Sequence, residues 1–327
     1  MLLRRRAICF GILFPFVIWL GGGWSLGAQA ANHEAALAAY GSGNEKFDAC
    51  RFAEAAVAYE RAIQLDPQVA AAYHNLALAD EMVDRPKAMK EWQRFIDLAE
   101  KDPSLKFDAA RAEARLQLYQ FLPNLPPAMQ TSRYVTGAGD YYWEVAESAD
   151  ENLWRTFPVK VNLGSAPQAK WKEGARDAFD IWQALFPLQL VARAEQADIR
   201  VDWLQTPDID NAVGEDWERP KWEIVGGEMQ ERRICTIGVN LYQRNWSKDE
   251  MRAIILHELG HAMGIKGHSD SKKDIMYGQM QDKLKQVYVP SIPFPISWRS
   301  LVKQPSQRDI NTLIRLYNSP GLAKRMQ

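Results

Sequence analysis

Three of the chain's five histidines fall between residues 257 and 268, at a spacing that could hold a metal ion. His257 and His261 are four residues apart, so on a helix both imidazoles project from the same face. Glu258 occupies the next position, from which a carboxylate can reach a metal-bound water without being a ligand itself. The segment His-Glu-Leu-Gly-His at 257–261 therefore indicates the chemistry of a zinc hydrolase.

Signals for the beginning and end of a helix surround this motif. Ser247 and Glu250 have the spacing of a capping box, in which each side chain bonds the other residue's backbone N–H. They open an apolar-rich run, residues 251–263, that contains no proline, and Gly264 is the residue type that commonly ends a helix. The sequence therefore predicts that both histidines lie in the last two turns of a helix, after which the chain turns back.

A second capped helix is predicted downstream, beginning near Ser306. Its apolar residues recur at helical spacing, and they are Ile310, Leu313, Ile314 and Tyr317. We expect this helix to pack against the back of the site.

Residues 257–277 resemble the metzincin zinc endopeptidases. The signature of that clan, H-E-x-x-H-x-x-G-x-x-H, is followed by a methionine-containing turn, here Asp274-Ile275-Met276-Tyr277. The likeness is greatest to matrixin-type catalytic domains, and it extends upstream through residues 178–182 and 196–201. It covers roughly residues 150 to 320. The resemblance implies that Met276 forms an apolar floor beneath the metal, whereas Tyr277 is expected to be a packing residue.

The third metal ligand departs from the family pattern. Position 267, where the pattern has its third histidine, is Gly267, and the histidine follows one residue later as His268. An inserted glycine can be absorbed as a local bulge, because glycine adopts conformations that other residues avoid. The sequence favours His268 as the third ligand and leaves open Asp270, or a site of two histidines completed by water.

The resemblance implies a zinc-dependent endopeptidase acting on proteins or peptides. Three neutral imidazoles would leave one zinc position open, as catalytic sites require. Glu258 would act as general base toward the attacking water. The alternative is an extracytoplasmic interaction protein whose helical repeats carry the function, with an inactive or structural zinc domain.

Alternating apolar residues predict three strands before the motif. They are centred on Val159–Leu163, Ile199–Trp203 and Cys235–Leu241, and an amphipathic helix follows the first. The order suits an α/β zincin domain, in which the resemblance suggests Cys235–Leu241 as the edge strand that pairs with substrate, although an ordinary internal strand is equally compatible. An acidic segment from Asp208 to Asp216, expected to form a loop, could bind Ca²⁺, but it lacks the regular spacing of an EF-hand.

The first half of the chain is alanine-rich and predicted to be helical. Residues 59–65 are echoed by residues 92–98, with Tyr59 matching Trp92 at a period of 33, close to that of tetratricopeptide repeats. About two repeats are visible, followed by a helix near 108–121. They could dock a protein partner or serve only as a spacer. His33 and His74 lie in this half and are not expected to be metal ligands.

Residues 1–30 have the pattern of an export signal. Arg4, Arg5 and Arg6 precede a short apolar run, and Ala28-Gln29-Ala30 resembles a cleavage site. We expect an exported protein, secreted or periplasmic, with no stable membrane span after cleavage, although an uncleaved anchor remains open. Cleavage would shift the net charge from −1 to about −4, which gives no reason to expect nucleic-acid binding.

The expected fold class is α+β with several domains. A signal peptide (1–30) precedes tetratricopeptide-like helical repeats (31–122), a proline-marked linker (123–150), a zincin-like α/β catalytic domain (151–320) and a tail (321–327). Cys50 and Cys235 fall in different halves, so no disulfide framework is indicated.

Overall fold

The computed structural model describes residues 22–121, 125–146, 153–205, 213–217, 221–225, 228–242, 245–277, 303–319 and 326. The predicted signal peptide lies largely outside this set. No helix within the described ranges is both long and apolar enough to cross a membrane.

Five helices form the first half of the molecule, each packed against the next along the chain. They are α1 (Gly22–Asp48), α2 (Phe52–Leu65), α3 (Ala70–Asp80), α4 (Arg85–Ala99) and α5 (Lys106–Phe121). The prediction of an all-α first half is confirmed. α2 and α4 begin 33 residues apart, and Tyr59 and Trp92 are both buried at the centre of one apolar cluster. The assignment of these helices as tetratricopeptide repeats stays a prediction.

A five-stranded sheet lies at the centre of the second half. The described strands are β1 (Val159–Asn162), β2 (Leu188–Leu190), β3 (Ile199–Leu204), β4 (Val213–Trp217), β5 (Lys221–Val225), β6 (Glu228–Arg232) and β7 (Cys235–Asn240). The order is β2–β1–β3–β7–β4, with β4 antiparallel to β7 and the other pairs parallel, and β5 and β6 form a separate hairpin.

Four further helices surround this sheet or join it to the first half. They are α6 (Tyr142–Val145), α7 (Ala169–Gln183), α8 (Lys248–Ala262) and α9 (Gln307–Asn318). α7 packs along α8, where the Trp182 indole N–H donates to the Leu256 carbonyl at 2.9 Å. The predicted alternation of β1, β3 and β7 is confirmed, since Val161, Ile199 and Ile237 are fully buried. The α+β prediction therefore holds.

Two predictions about the sheet were wrong. The segment Cys235–Leu241 is not the edge strand, because β7 lies between β3 and β4 and bonds to both. Glu215 and Asp216 are not in a loop, since they belong to β4, the last strand on this side of the described sheet. Residues 208–211, the rest of the segment suggested for Ca²⁺, lie outside the described residues, so that suggestion has no structural support.

The two halves meet at a buried cluster built from the described part of the predicted linker and from α9. Arg315 of α9 donates to Asp140 at 3.0 Å, and both side chains are almost fully buried. The guanidinium also lies against the rings of Tyr142 and Trp143 and against Phe52 of α2, at 4.3, 4.8 and 4.9 Å. A buried charge is tolerated only when it is paired and hydrogen-bonded, so these contacts fix the two halves relative to each other.

Candidate metal centre

Helix α8 carries two of the three clustered histidines, and its first turn is capped as the sequence predicts. Ser247 Oγ accepts from the Glu250 N–H at 3.2 Å, and the Ser247 N–H donates to Glu250 Oε2 at 2.7 Å. From Leu256 onward the helix is buried. His257, Glu258 and His261 thus lie in the buried part of the helix, each no more than 5% exposed.

The loop after α8 brings His268 to the other two histidines. The ring centroids lie 4.7 Å apart for His257 and His261, 5.3 Å for His257 and His268, and 5.0 Å for His261 and His268. One nitrogen from each ring lies within 4.8 Å of the others. Asp270, the alternative considered from sequence, is exposed and bonds to Arg308 at 3.3 Å.

Backbone carbonyls orient two of the imidazoles. Nδ1 of His257 lies 2.7 Å from the Ile275 oxygen, and Nδ1 of His261 lies 2.6 Å from the Ile265 oxygen. A carbonyl can only accept, so each Nδ1 carries the proton and each Nε2 keeps a lone pair for a metal. Burial lowers the pKa of His261 to about 4, which keeps the ring neutral at pH 7 as coordination requires.

Two glycines shape the loop that follows α8, for different reasons. Gly264 has φ +113°, a conformation that ends the helix and places the Ile265 carbonyl beneath His261. Gly267 does not adopt positive φ, so conformational freedom is not what requires glycine at this position. A Cβ at position 267 would lie 2.9 Å from the Glu144 carbonyl oxygen, and close approach is what requires glycine here.

Met276 lies directly against α8 at Gly260. A Cβ on Gly260 would collide with the Met276 sulfur, so the glycine in the His-Glu-Leu-Gly-His motif leaves room for the thioether. Met276 is fully buried in the main apolar cluster. Tyr277 is half-buried and forms an isolated bridge with Ser269.

Polar residues from α9 hold the turn that contains Met276. Asp309 accepts from the Ile275 N–H at 3.1 Å and from the Tyr141 hydroxyl at 2.6 Å. Asp274 accepts from the Ser306 hydroxyl at 2.7 Å and from Arg308 at 2.9 Å. The carbonyl that orients His257 belongs to Ile275, so α9 supports that ligand through a single residue.

The sequence did not identify these supports. Every residue has a carbonyl, so nothing marks Ile265 or Ile275 in advance as an orienting group. The capped α9 was predicted, but only as apolar packing. The Asp309 position could have been noticed because a carboxylate three residues after a capping serine satisfies backbone N–H groups.

The remaining residues considered from sequence lie away from this cluster. His33 bonds to Asp66 at the surface at 2.5 Å, and His74 is buried among aromatic rings in the helical half. Cys50 and Cys235 form no disulfide. Across the described ranges, the three histidines are the group whose donor atoms could hold a metal ion.

The donor set fits zinc. Zn²⁺ accepts imidazole nitrogens at about 2.0–2.1 Å in tetrahedral geometry, which places the nitrogens roughly 3.4 Å apart. The donor atoms of the three histidines all lie within 4.8 Å of one another, close enough to converge on one ion. Three histidines leave one position open, the pattern of catalytic zinc sites, whereas structural sites are filled by four protein ligands.

Comparison with known families identifies this part of the chain. The matrixin family model matches residues 151–291, which include the sheet, α8 and the three histidines. No curated protein sequence matches the chain. The match ends before α9, although α9 supports the turn beneath the histidines. Residues 151–291 are therefore similar to a matrixin-type zinc metallopeptidase domain, and an all-α region precedes them.

Proposed function

We propose that the protein is a zinc endopeptidase that hydrolyses peptide bonds in protein or peptide substrates, with His257, His261 and His268 as metal ligands. The observation that supports this most directly is the approach of three imidazoles whose donor atoms lie within 4.8 Å of one another. When bound, zinc would act as a Lewis acid and lower the pKa of a coordinated water to about 7.

Glu258 is the proposed general base. Its carboxylate lies on α8 beside His257 and is 4% exposed, so the helix holds it at the histidine cluster. It would accept the proton of the attacking water and then deliver that proton to the amide nitrogen of the leaving group. A closed structural zinc site would have no use for such a carboxylate, which favours the enzyme over an inactive zinc domain.

β4 is the proposed docking strand for an extended substrate. It is antiparallel to β7, forms the sheet edge on that side and approaches α8. An edge strand presents backbone N–H and C=O groups that can pair with a peptide, which would lay the substrate alongside the metal helix.

The expected location is outside the cytoplasm, and the basis for this proposal is the signal-like pattern of residues 1–30. A metallopeptidase domain in an exported protein would meet extracytoplasmic proteins or peptides. The proposal can be checked by fractionating the producing cells and determining the N-terminal residue of the mature chain.

Substitution of Glu258→Gln tests the enzymatic proposal. The amide keeps the shape of the side chain but cannot accept a proton, so kcat on an unstructured protein substrate should fall about 100- to 10,000-fold. Zinc content should stay the same. Glu173→Gln is the matched control, because Glu173 is exposed on α7 and its removal should leave turnover unchanged.

The outcome also decides between enzyme and interaction protein. If the wild type and both variants bind zinc equally and none of them cuts, the peptidase proposal fails and a non-catalytic role for the zinc domain is favoured. If Glu258→Gln cuts as fast as wild type, Glu258 is not the base.

A further inference from the structure

Three polar side chains meet between α1 and α3, on helices whose other inward residues are mostly apolar. Tyr40 and Asn44 come from α1, and Asn75 comes from α3. Asn75 is fully buried, and an amide that is fully buried must be hydrogen-bonded to be tolerated. The partners of this amide indicate what the cluster does.

The Asn75 side chain pairs with both backbone groups of Met326, which is 251 residues away in sequence. Its Oδ1 accepts from the Met326 N–H at 2.7 Å, and its Nδ2 donates to the Met326 carbonyl at 2.8 Å. The Tyr40 hydroxyl donates to the same carbonyl at 2.5 Å. The half-buried Met326 also packs against the apolar cluster of the helical half.

Neighbouring side chains fix the orientation of the Asn75 amide. Asn44 Oδ1 accepts from Asn75 Nδ2 at 3.0 Å and from the Tyr59 hydroxyl at 2.9 Å. His74 Nδ1 donates to Asn75 Oδ1 at 3.0 Å. Only one orientation of the amide satisfies these partners, so its acceptor and donor are positioned before any peptide arrives.

We propose that Tyr40, Asn44 and Asn75 form a binding site for the backbone of an extended peptide, and that this site holds the chain's own segment at Met326. The two hydrogen bonds from the Asn75 amide recognise the N–H and the C=O of a single residue. Every residue except proline possesses both groups. Recognition is therefore tolerant of sequence. The site lies in the helical half and does not depend on the proposed peptidase activity.

The bound segment is tethered, which determines how the site behaves toward other peptides. It follows α9, and a short tether gives an effective concentration on the order of millimolar. A peptide added in trans must compete with that concentration. Release of the tethered segment should therefore unmask the site.

The test uses the full chain with two substitutions at one position. Met326→Pro removes the N–H that Asn75 accepts, whereas Met326→Leu keeps the N–H and an apolar side chain. A fluorescein-labelled peptide with the sequence of residues 321–327 is titrated, and binding is followed by anisotropy. The Met326→Pro protein should bind it at least about 10-fold more tightly than the wild type or Met326→Leu.

Two controls separate backbone recognition from other effects. A peptide methylated on the nitrogen of the residue equivalent to Met326 should bind the Met326→Pro protein about 10-fold more weakly than its parent. Adding Tyr40→Phe to that protein removes the hydroxyl that donates to the Met326 carbonyl and accepts from Asn75 Nδ2, and it should weaken binding roughly 2- to 10-fold. Equal binding by wild type and Met326→Pro, no binding by Met326→Pro, or no effect of N-methylation would overturn the proposal.

Discussion

Two buried histidines have similarly lowered pKa values but different surroundings. They are His261, beside the proposed metal, and His74, in the helical half. Burial lowers the pKa of each to about 4, so both rings are neutral at pH 7. His74 lies edge-on to Trp92 and Phe95 at 4.9 and 5.0 Å, whereas His261 lies beside two other imidazoles.

A lowered histidine pKa therefore reports burial and does not by itself identify a metal site. What distinguishes His261 is that its Nδ1–H donates a hydrogen bond to a backbone carbonyl while the ring lies near the donor atoms of two other histidines. The Nδ1–H of His74 donates a hydrogen bond to the Asn75 amide oxygen, so this ring orients a neighbouring side chain. Geometry, not titration, separates the two roles.

The largest predicted difference between the two histidines is the change in zinc affinity when each is replaced by phenylalanine. His261→Phe removes a proposed ligand, and zinc affinity should fall by more than about 100-fold in a chelator competition titration. His74→Phe keeps an aromatic ring in an aromatic pocket, and zinc affinity should be unchanged. Equal losses in both variants would mean that His74 supports the metal site after all.

A second prediction concerns acid stability of the helical half. In the unfolded chain His74 takes up a proton below its ordinary pKa of 6.5, whereas in the folded chain it does so only near pH 4. The stability that the neutral ring contributes is therefore fully present above pH 6.5 and is lost as the pH falls toward 4. The loss from this residue should reach about 3 kcal/mol. Hydrogen exchange of α3 and α4 amides at pH 7 and pH 4 measures it.

The matched control for the acid experiment is again His74→Phe. Burial raises the pKa of Asp80, on the same helix, to about 6, and this opposes the His74 effect because the folded state then binds its proton more tightly. The variant retains Asp80, so the difference between the two proteins isolates His74. Identical pH dependence in both would show that His74 does not titrate as described.

The smallest predicted effect compares one helix glycine from each region. Gly260→Ala places a methyl group against the Met276 sulfur and should destabilise the domain by about 1–3 kcal/mol. Gly41→Ala in α1 meets nothing within 4 Å and should be neutral or stabilising by up to about 1 kcal/mol, since alanine favours helices. Thermal unfolding of both variants measures the contrast, and equal shifts would contradict it.

Local features of the site were predictable from sequence because their causes are local. The Ser247 cap, the break at Gly264 and the shared face of His257 and His261 depend on residues within a few positions of one another. The 33-residue repeat that relates α2 and α4 was also predictable from the sequence, since equivalent positions in the two helices carry similar residues.

Features that depend on distant pairing were not predictable. To place β7 inside the sheet one must know that β4 pairs with it, and β4 lies in a segment that the sequence predicts to be an acidic loop. Gly267 has its residue type because Glu144 passes close by, which no local pattern records. The Asn75 amide likewise acquires its role from Met326, and only the folded chain brings these two residues together.

α9 contacts both halves, and this has a consequence for the order of events during synthesis. The helical half and the sheet leave the ribosome before α9, and domains generally fold as they emerge. Until residues 307–318 arrive, Asp140 lacks Arg315, and the Ile275 N–H lacks the Asp309 carboxylate. The histidine cluster can therefore gain its final geometry only once α9 has docked, so formation of the metal site is expected to be a late step in folding.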